Sequence, residues 1–317
     1  MKKNTTYREI NPIRRSDAVK RGKSFLDICI FNFYNHFTDE GIESVCNVME
    51  KTDLDYSISL IDIRGTFNDG AEVRSILKKF PYVRIFFSSR PDSFFDSLNL
   101  YFKESKANFI LTVSADLLLT GFDIGAVIRK YYQDNSLFGV LPAVYQHDEI
   151  QNTFYKYISN RNNIFLSIEK FKSNMYNIVP YKFTGFFDKE KFLAVGGFDT
   201  SYKNDFITLL DLGYMIYSFN SNLIGVDNFS VKLSEYNQKT ARIFENFNKD
   251  YFFDLKLFVI KNFVKVNRII FTLVNIIKQL LIIRPGNILR IFVFCRKHSY
   301  IKNRIVRNEK QIEELFR

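Results

Sequence analysis

Between Phe25 and Asp116 the chain alternates between short apolar runs and amphipathic helical runs, joined by short connections. "FLDICIFNFYN" (25–35), "DYSISLID" (55–62), "YVRIFFSS" (82–89) and "NFILTVSAD" (108–116) read as strands. The segments between them keep helical spacing: Ile42, Val45, Val48 and Met49 in the first, "AEVRSILKKF" as the second, and Phe94, Phe95, Leu98 and Phe102 in the third. Strands alternating with helices in this way predict an α/β fold, a mostly parallel sheet with helices on both faces. Ligands of such sheets bind beyond the carboxyl ends of the strands. Asn32, Asn35, Asp62 and Asp116 fall at those ends. An Asx residue there is also an ordinary turn or cap former, and each residue alone fits that description. Asp62 and Asp116 together point to a site.

Beyond Asp116, "GFDIGAVIRKYYQDN" reads as a helix and "LFGVLPAVYQ" as a strand. The stretch from His147 to Tyr181 is rich in Asn and aromatic residues with weak periodicity, and reads as a substrate loop. His147 either touches substrate from that loop or is a solvated surface residue, and Arg161 is a candidate phosphate partner. Residues 182–220 combine a strand bearing Gly185, a short helix, a Gly196-Gly197 turn and a helix led by Asn204-Asp205.

The charge is uneven. The chain carries a net +11, yet 255–308 alone holds twelve Lys or Arg and no acidic residue, leaving 11 minus 12, or −1, for everything else. A neutral body with a basic tail points to an anionic partner. From Lys261 the polar residues Lys265, Arg268, Thr272, Asn275 and Gln279 follow at steps of three and four, one stripe of a helix of about 45 Å at 1.5 Å per residue. Either its broad apolar face packs on the body, or the helix lies in an anionic membrane surface. A nucleic acid is disfavoured as partner, because the aromatic residues here are embedded in aliphatic runs rather than placed for base stacking. Cys29, Cys46 and Cys295 fit neither a zinc spacing nor a disulfide framework, which indicates a reducing compartment. The basic N-terminus has no apolar core of a secretory signal behind it, and the apolar run 269–283 is shorter than the ~20 residues of a membrane span. The expected location is the cytoplasm, including the inner face of the plasma membrane.

Taken together, "FNFYN", "LIDIRGTFNDG", "NFILTVSAD" and "FTGFFDKEKFLAVGGFDTSYKNDF" resemble, in order and separation, the family-2 inverting glycosyltransferases of the GT-A fold, most of all the bacterial rhamnosyltransferase-like branch. The resemblance implies a Rossmann-like GT-A domain over 25–225, preceded by a basic extension (1–24) and followed by an amphipathic helical appendage (226–317). It also implies transfer of a hexose from a UDP- or dTDP-sugar to a glycan or lipid-linked acceptor, in bacterial cell-envelope polysaccharide biosynthesis. Carried over residue by residue, Asp205 is the catalytic base, and Asn32, Asn35, Asp62 and Asp116 bind the nucleotide. Gly185, Gly197 and Asn204 line the acceptor and sugar pocket. Asp116 also becomes the ligand of Mg²⁺ or Mn²⁺. Two departures accompany this. Ser114-Ala115-Asp116 stands where the family has Asp-x-Asp, leaving one carboxylate for the metal. Asn204-Asp205 stands where it has Glu-Asp. A non-catalytic sugar-nucleotide or glycan-binding relative is the alternative these departures suggest.

Overall fold

The computed structural model describes residues 7–10, 25–32, 37–62, 70–88, 94–151, 153–160, 163–234, 254, 255, 257, 258, 261, 262, 306, 307 and 309–316. The elements run β1 (Tyr7–Ile10), β2 (Leu26–Phe31), α1 (Asp39–Met49), β3 (Tyr56–Asp62), α2 (Gly70–Lys79), β4 (Val83–Ser88), α3 (Phe94–Glu104) and β5 (Phe109–Ser114). Then come β6 (Leu117–Phe122), α4 (Ile124–Gln133), β7 (Leu137–Gln146), β8 (Glu149–Ile150), β9 (Phe154–Asn160) and β10 (Asn163–Glu169). The last are β11 (Gly185–Asp188), α5 (Lys189–Val195), α6 (Asp205–Ser218), β12 (Asn222–Leu233) and α7 (Glu309–Leu315).

The alternation in the first third forms as expected. β4, β3, β2 and β5 lie side by side and all pair in parallel. β1 adds an antiparallel edge on β4. Past β5 the sheet becomes mixed. β11 inserts antiparallel between β5 and β7, β12 runs parallel to β7, and β6 closes the far edge antiparallel to β12. Along β2 the side chains of Leu26, Ile28 and Ile30 enter one apolar cluster and those of Cys29 and Phe31 the other. Period-two alternation thus buries both faces, as a sheet covered by helices on each side requires.

Two expectations change. The helix read from Gly121 starts at Ile124, with the Asp123 side chain accepting from the Ala126 amide at 2.9 Å. The preceding "LLLTGF" is the edge strand β6. Within 147–181 the chain pairs β9 with β10 as an antiparallel hairpin, where a loop was expected. The Tyr155 ring lies 5.4 Å from Phe206, which ties the hairpin to α6.

The basic C-terminal region engages the body where it is described. Leu257 and Phe258 are buried in the same cluster as α6, as are Ile312 and Phe316. The Val306 and Arg307 amides donate to the Ser218 carbonyl at 2.8 and 3.0 Å, satisfying a terminal acceptor of α6. Among the described residues no helix is long and apolar enough to cross a membrane. The polar stripe beyond Asn262 lies outside them.

Candidate active site

The site begins with strand register. Phe31 of β2 sits opposite Ile61 of β3 and Ser114 of β5. The next polar residues, Asn32, Asp62 and Asp116, therefore reach the same end of three adjacent parallel strands. All three are buried. Asn32 donates its side-chain amide to Asp62 Oδ1 at 2.9 Å, so these two act as one polar unit. Asn35, Arg161 and the other members of "FNFYN" past Asn32 lie outside the described residues. His147 is exposed.

Asp116 is held from two sides. The Ser114 hydroxyl donates to Oδ1 at 2.5 Å, and the Lys182 ammonium forms a salt bridge with Oδ2. Lys182 and Asp116 are 0 % and 2 % exposed, so this is a fully buried ion pair. Lys182 comes from a one-turn 3-10 segment, Tyr181–Phe183. Both Lys182 (φ 46°) and Phe183 (φ 48°) occupy the left-handed region, which residues with side chains rarely enter. Packing and hydrogen bonds hold the turn there. The Phe183 ring stacks on Phe187 at 4.7 Å, Thr112 donates its hydroxyl to the Phe183 carbonyl, and the Ser114 amide donates to Thr184 Oγ1 at 3.2 Å. The turn is thereby fastened to the strand that delivers Asp116.

That pairing bears on the metal. Both oxygens of Asp116 already accept from protein donors, and a lysine ammonium stands at the single carboxylate. No group of three or more His, Cys, Asp or Glu able to hold a metal ion occurs among the described residues. Mg²⁺ and Mn²⁺ sites draw on several oxygen ligands. Among the described residues, the donors around Asp116 do not make up a site for a resident divalent ion.

Asp205 opens α6 and is half-buried. Asn204 is the N-cap, its side chain accepting from the Ile207 amide at 3.1 Å. The cap role of Asn204 is thus filled, as its residue type favours. The turn before it rests on Asp254, whose Oδ2 accepts from the Lys203 and Asn204 amides at 2.5 and 2.8 Å. Midway along α6, Asp211 meets Lys261 at 2.5 Å, and Lys261 also reaches Asp199 at 3.1 Å. Tyr202 and Asn262 donate to Asp211 Oδ1 at 3.2 and 3.0 Å. Burial would depress Lys261, but Asp211 and Asp199 outweigh it and hold its pKa above the ordinary 10.5. Burial, with the same two carboxylates, pushes the Tyr202 phenol well above its usual value. Lys261, the first cation of the basic stripe, therefore faces the interior.

The glycines have local causes. A Cβ on Gly185 would meet the Phe187 ring at 2.7 Å and Leu141 Cδ2 at 2.9 Å, so sheet packing demands glycine. Gly196 and Gly197 have φ of 94° and 67°, left-handed positions at the end of α5. The turn is clamped by Asn99, which donates to the Phe198 carbonyl at 2.9 Å and accepts from its amide at 2.8 Å. A separate cleft of about 490 Å³, lined by residues including Lys51, Asp53, Phe122 and Asp123, opens at the opposite end of the strands. It is remote from the carboxylates of the site.

Lys182, Asp254 and the Lys261 cluster were not singled out in the sequence as site residues. For Lys182 a signal exists: it is an isolated cation in "IVPYKFTGFF", where a charge among apolar residues implies a buried partner.

No protein-family model and no curated protein sequence matches the chain. Among solved structures, it is similar to GalNAc-T7 crystallised with UDP, GalNAc and Mn²⁺. The TM-score is 0.60 at 12 % identity, with 93 % of this chain and 57 % of that one covered. The chain thus spans little more than half of that protein's length. Looser likenesses are to S. aureus TarS 1-349 (TM-score 0.49, 11 % identity, 90 % and 76 % covered) and to the mannosyltransferase PcManGT from Pyrobaculum calidifontis with GDP-Man and Mn²⁺ (TM-score 0.45, 10 %, 87 % and 75 %). At such identities the likeness is one of fold. The chain has the mixed α/β architecture of the GT-A-like glycosyltransferases.

Proposed function

We propose that the chain is an inverting glycosyltransferase that moves a hexose from a UDP- or dTDP-sugar to a hydroxyl of a glycan or lipid-linked acceptor. The observation that carries this reading is the convergence of Asn32, Asp62 and Asp116 at one end of three adjacent parallel strands in a GT-A-like sheet. Asp62, oriented by Asn32, accepts from the base or ribose of the nucleotide. Asp205 takes the proton of the acceptor hydroxyl. The acceptor oxygen bonds to the anomeric carbon as the bond to the departing diphosphate breaks. General-base catalysis of this kind contributes ~10²–10⁴-fold.

The same reading extends to bacterial surface polysaccharide synthesis at the inner face of the plasma membrane, with 255–308 bearing on anionic lipid. The test incubates the full chain with UDP- and dTDP-sugars and candidate acceptors while nucleoside diphosphate release is followed. Acceptor-dependent release that falls by about 10²-fold or more in Asp205→Asn supports the assignment; unchanged turnover in that variant removes it. Flotation with anionic liposomes, suppressed by salt, checks the lipid contact. A second reading, a binding protein without transfer, is favoured by the locking of Asp116 by Lys182. It predicts nucleotide-sugar binding with no release under any acceptor.

A further inference from the structure

The Asp116–Lys182 pair occupies the position that the resemblance assigns to a metal. Three observations show that it is built rather than incidental. The ammonium and the carboxylate are both withdrawn from solvent. The turn that presents Lys182 keeps two successive residues in the left-handed region. It is hydrogen-bonded through Thr112, Ser114 and Thr184 to the strand that leads to Asp116. An ammonium has three N–H donors, and among the described residues Asp116 alone accepts from this one by hydrogen bond. The Tyr181 ring lies 5.7 Å from it at the centroid. Buried donors are ordinarily satisfied, so the remaining N–H groups of Lys182 call for an acceptor oxygen.

A divalent ion at Asp116 would have to displace Lys182 and leave its charge buried without a counter-ion, or lie beside it against like charge. Neither is favourable in a desolvated site. A phosphate oxygen meets no such obstacle. Lysine is an established point-charge partner for phosphate, and the Ser114 hydroxyl fixes Asp116 so that the pair stays aligned. The shared feature of a metal and an ammonium here is positive charge opposite a departing diphosphate.

We propose that the Lys182 ammonium stands in for the divalent ion: it neutralises Asp116 and gives its remaining donors to a phosphate oxygen, so that this site takes a nucleoside diphosphate without a metal. The nucleotide part rests on the transfer reading above. The part concerning the cation does not.

Two measurements on the full chain separate these parts. Electron paramagnetic resonance of Mn²⁺ mixed with the wild-type protein should give the free-ion spectrum. A stoichiometric bound signal that disappears in Asp116→Asn overturns the proposal and needs no nucleotide. Titration calorimetry with UDP and with dTDP should give dissociation constants in EDTA and in Mn²⁺ that agree within about twofold. Tightening by Mn²⁺ of about tenfold or more overturns the proposal. Lys182→Gln should weaken binding by about tenfold or more, while Lys182→Arg, which keeps the charge, should retain most of it. Equal binding by wild type and Lys182→Gln overturns the phosphate contact. If neither nucleotide binds in either buffer, the transfer reading fails together with the phosphate contact. The resonance result still decides the cation.

Discussion

Among the described residues two buried lysine–aspartate assemblies stand out, and they are built differently. At the strand ends one lysine meets one carboxylate, and the ammonium has donors to spare. At the root of α6 one lysine meets two carboxylates, Asp199 and Asp211, with Tyr202 and Asn262 adding hydrogen bonds to Asp211. The second assembly gives its lysine two carboxylate acceptors and gathers further donors around Asp211. The first leaves capacity over. Position and satisfaction thus distinguish a site from a brace, although both are ion pairs out of contact with water.

The sharpest way to break this comparison is Lys261→Met. It strands two buried carboxylates, and removing one partner from a buried pair costs about 3–5 kcal/mol. Chemical denaturation should show a loss at the upper end of that range. Lys182→Met strands only Asp116, so the loss should lie nearer about 3 kcal/mol. The double variant Lys182→Met/Asp116→Leu should recover most of it, because apolar replacement of a whole buried pair is often neutral. If the two lysine variants lose equal stability, the distinction between site and brace weakens.

Alkaline pH probes the same contrast. Lys261 and Tyr202 have raised pKa values in the folded chain. Their contribution is present in full below about pH 10, where the unfolded chain also keeps these protons. Above that pH the unfolded chain releases protons that the folded chain still holds, so stability falls as pH rises. Lys261→Met and Tyr202→Phe should each make that fall shallower in denaturation series between neutral and strongly alkaline pH. The smallest effect belongs to Asn204→Ala. Loss of the α6 cap should cost about 1 kcal/mol, with turnover changed less than in Asp205→Asn.

The sequence showed those parts of the fold that repeat locally. β3 ends at Asp62 and β7 spans Leu137–Gln146, as the apolar runs predict. β6 was hidden because "LLLTGF" follows Asp116 with no Gly or Pro between them and abuts a helix whose cap, Asp123, follows it immediately. The β9–β10 hairpin was obscured by the Asn-rich sequence where its strands meet, "SNRNN" (159–163), which reads as loop although Ser159, Asn160 and Asn163 belong to the strands. Asp62 and Asp116 were legible because strand ends are predictable from period and length. Lys182 was not paired with Asp116, since 66 residues separate them and no local pattern encodes a partner at that distance. Lys261 was misleading in its own way. Its place in a regular polar stripe suggested an outward face, whereas the burial of Leu257 and Phe258 turns that end of the stripe toward Asp199 and Asp211.

The two terminal contacts of α6 carry a consequence for how the chain is made. Asp254 and Lys261 secure its beginning, and the Val306 and Arg307 amides secure its end at Ser218. Translation delivers α6 well before either support, and domains fold in the order in which they emerge. A ribosome stalled past Leu233 would hold every described strand of the sheet and an α6 still lacking both supports. Nascent chains arrested there should be cut by protease within 196–218, and chains extended through 316 should resist.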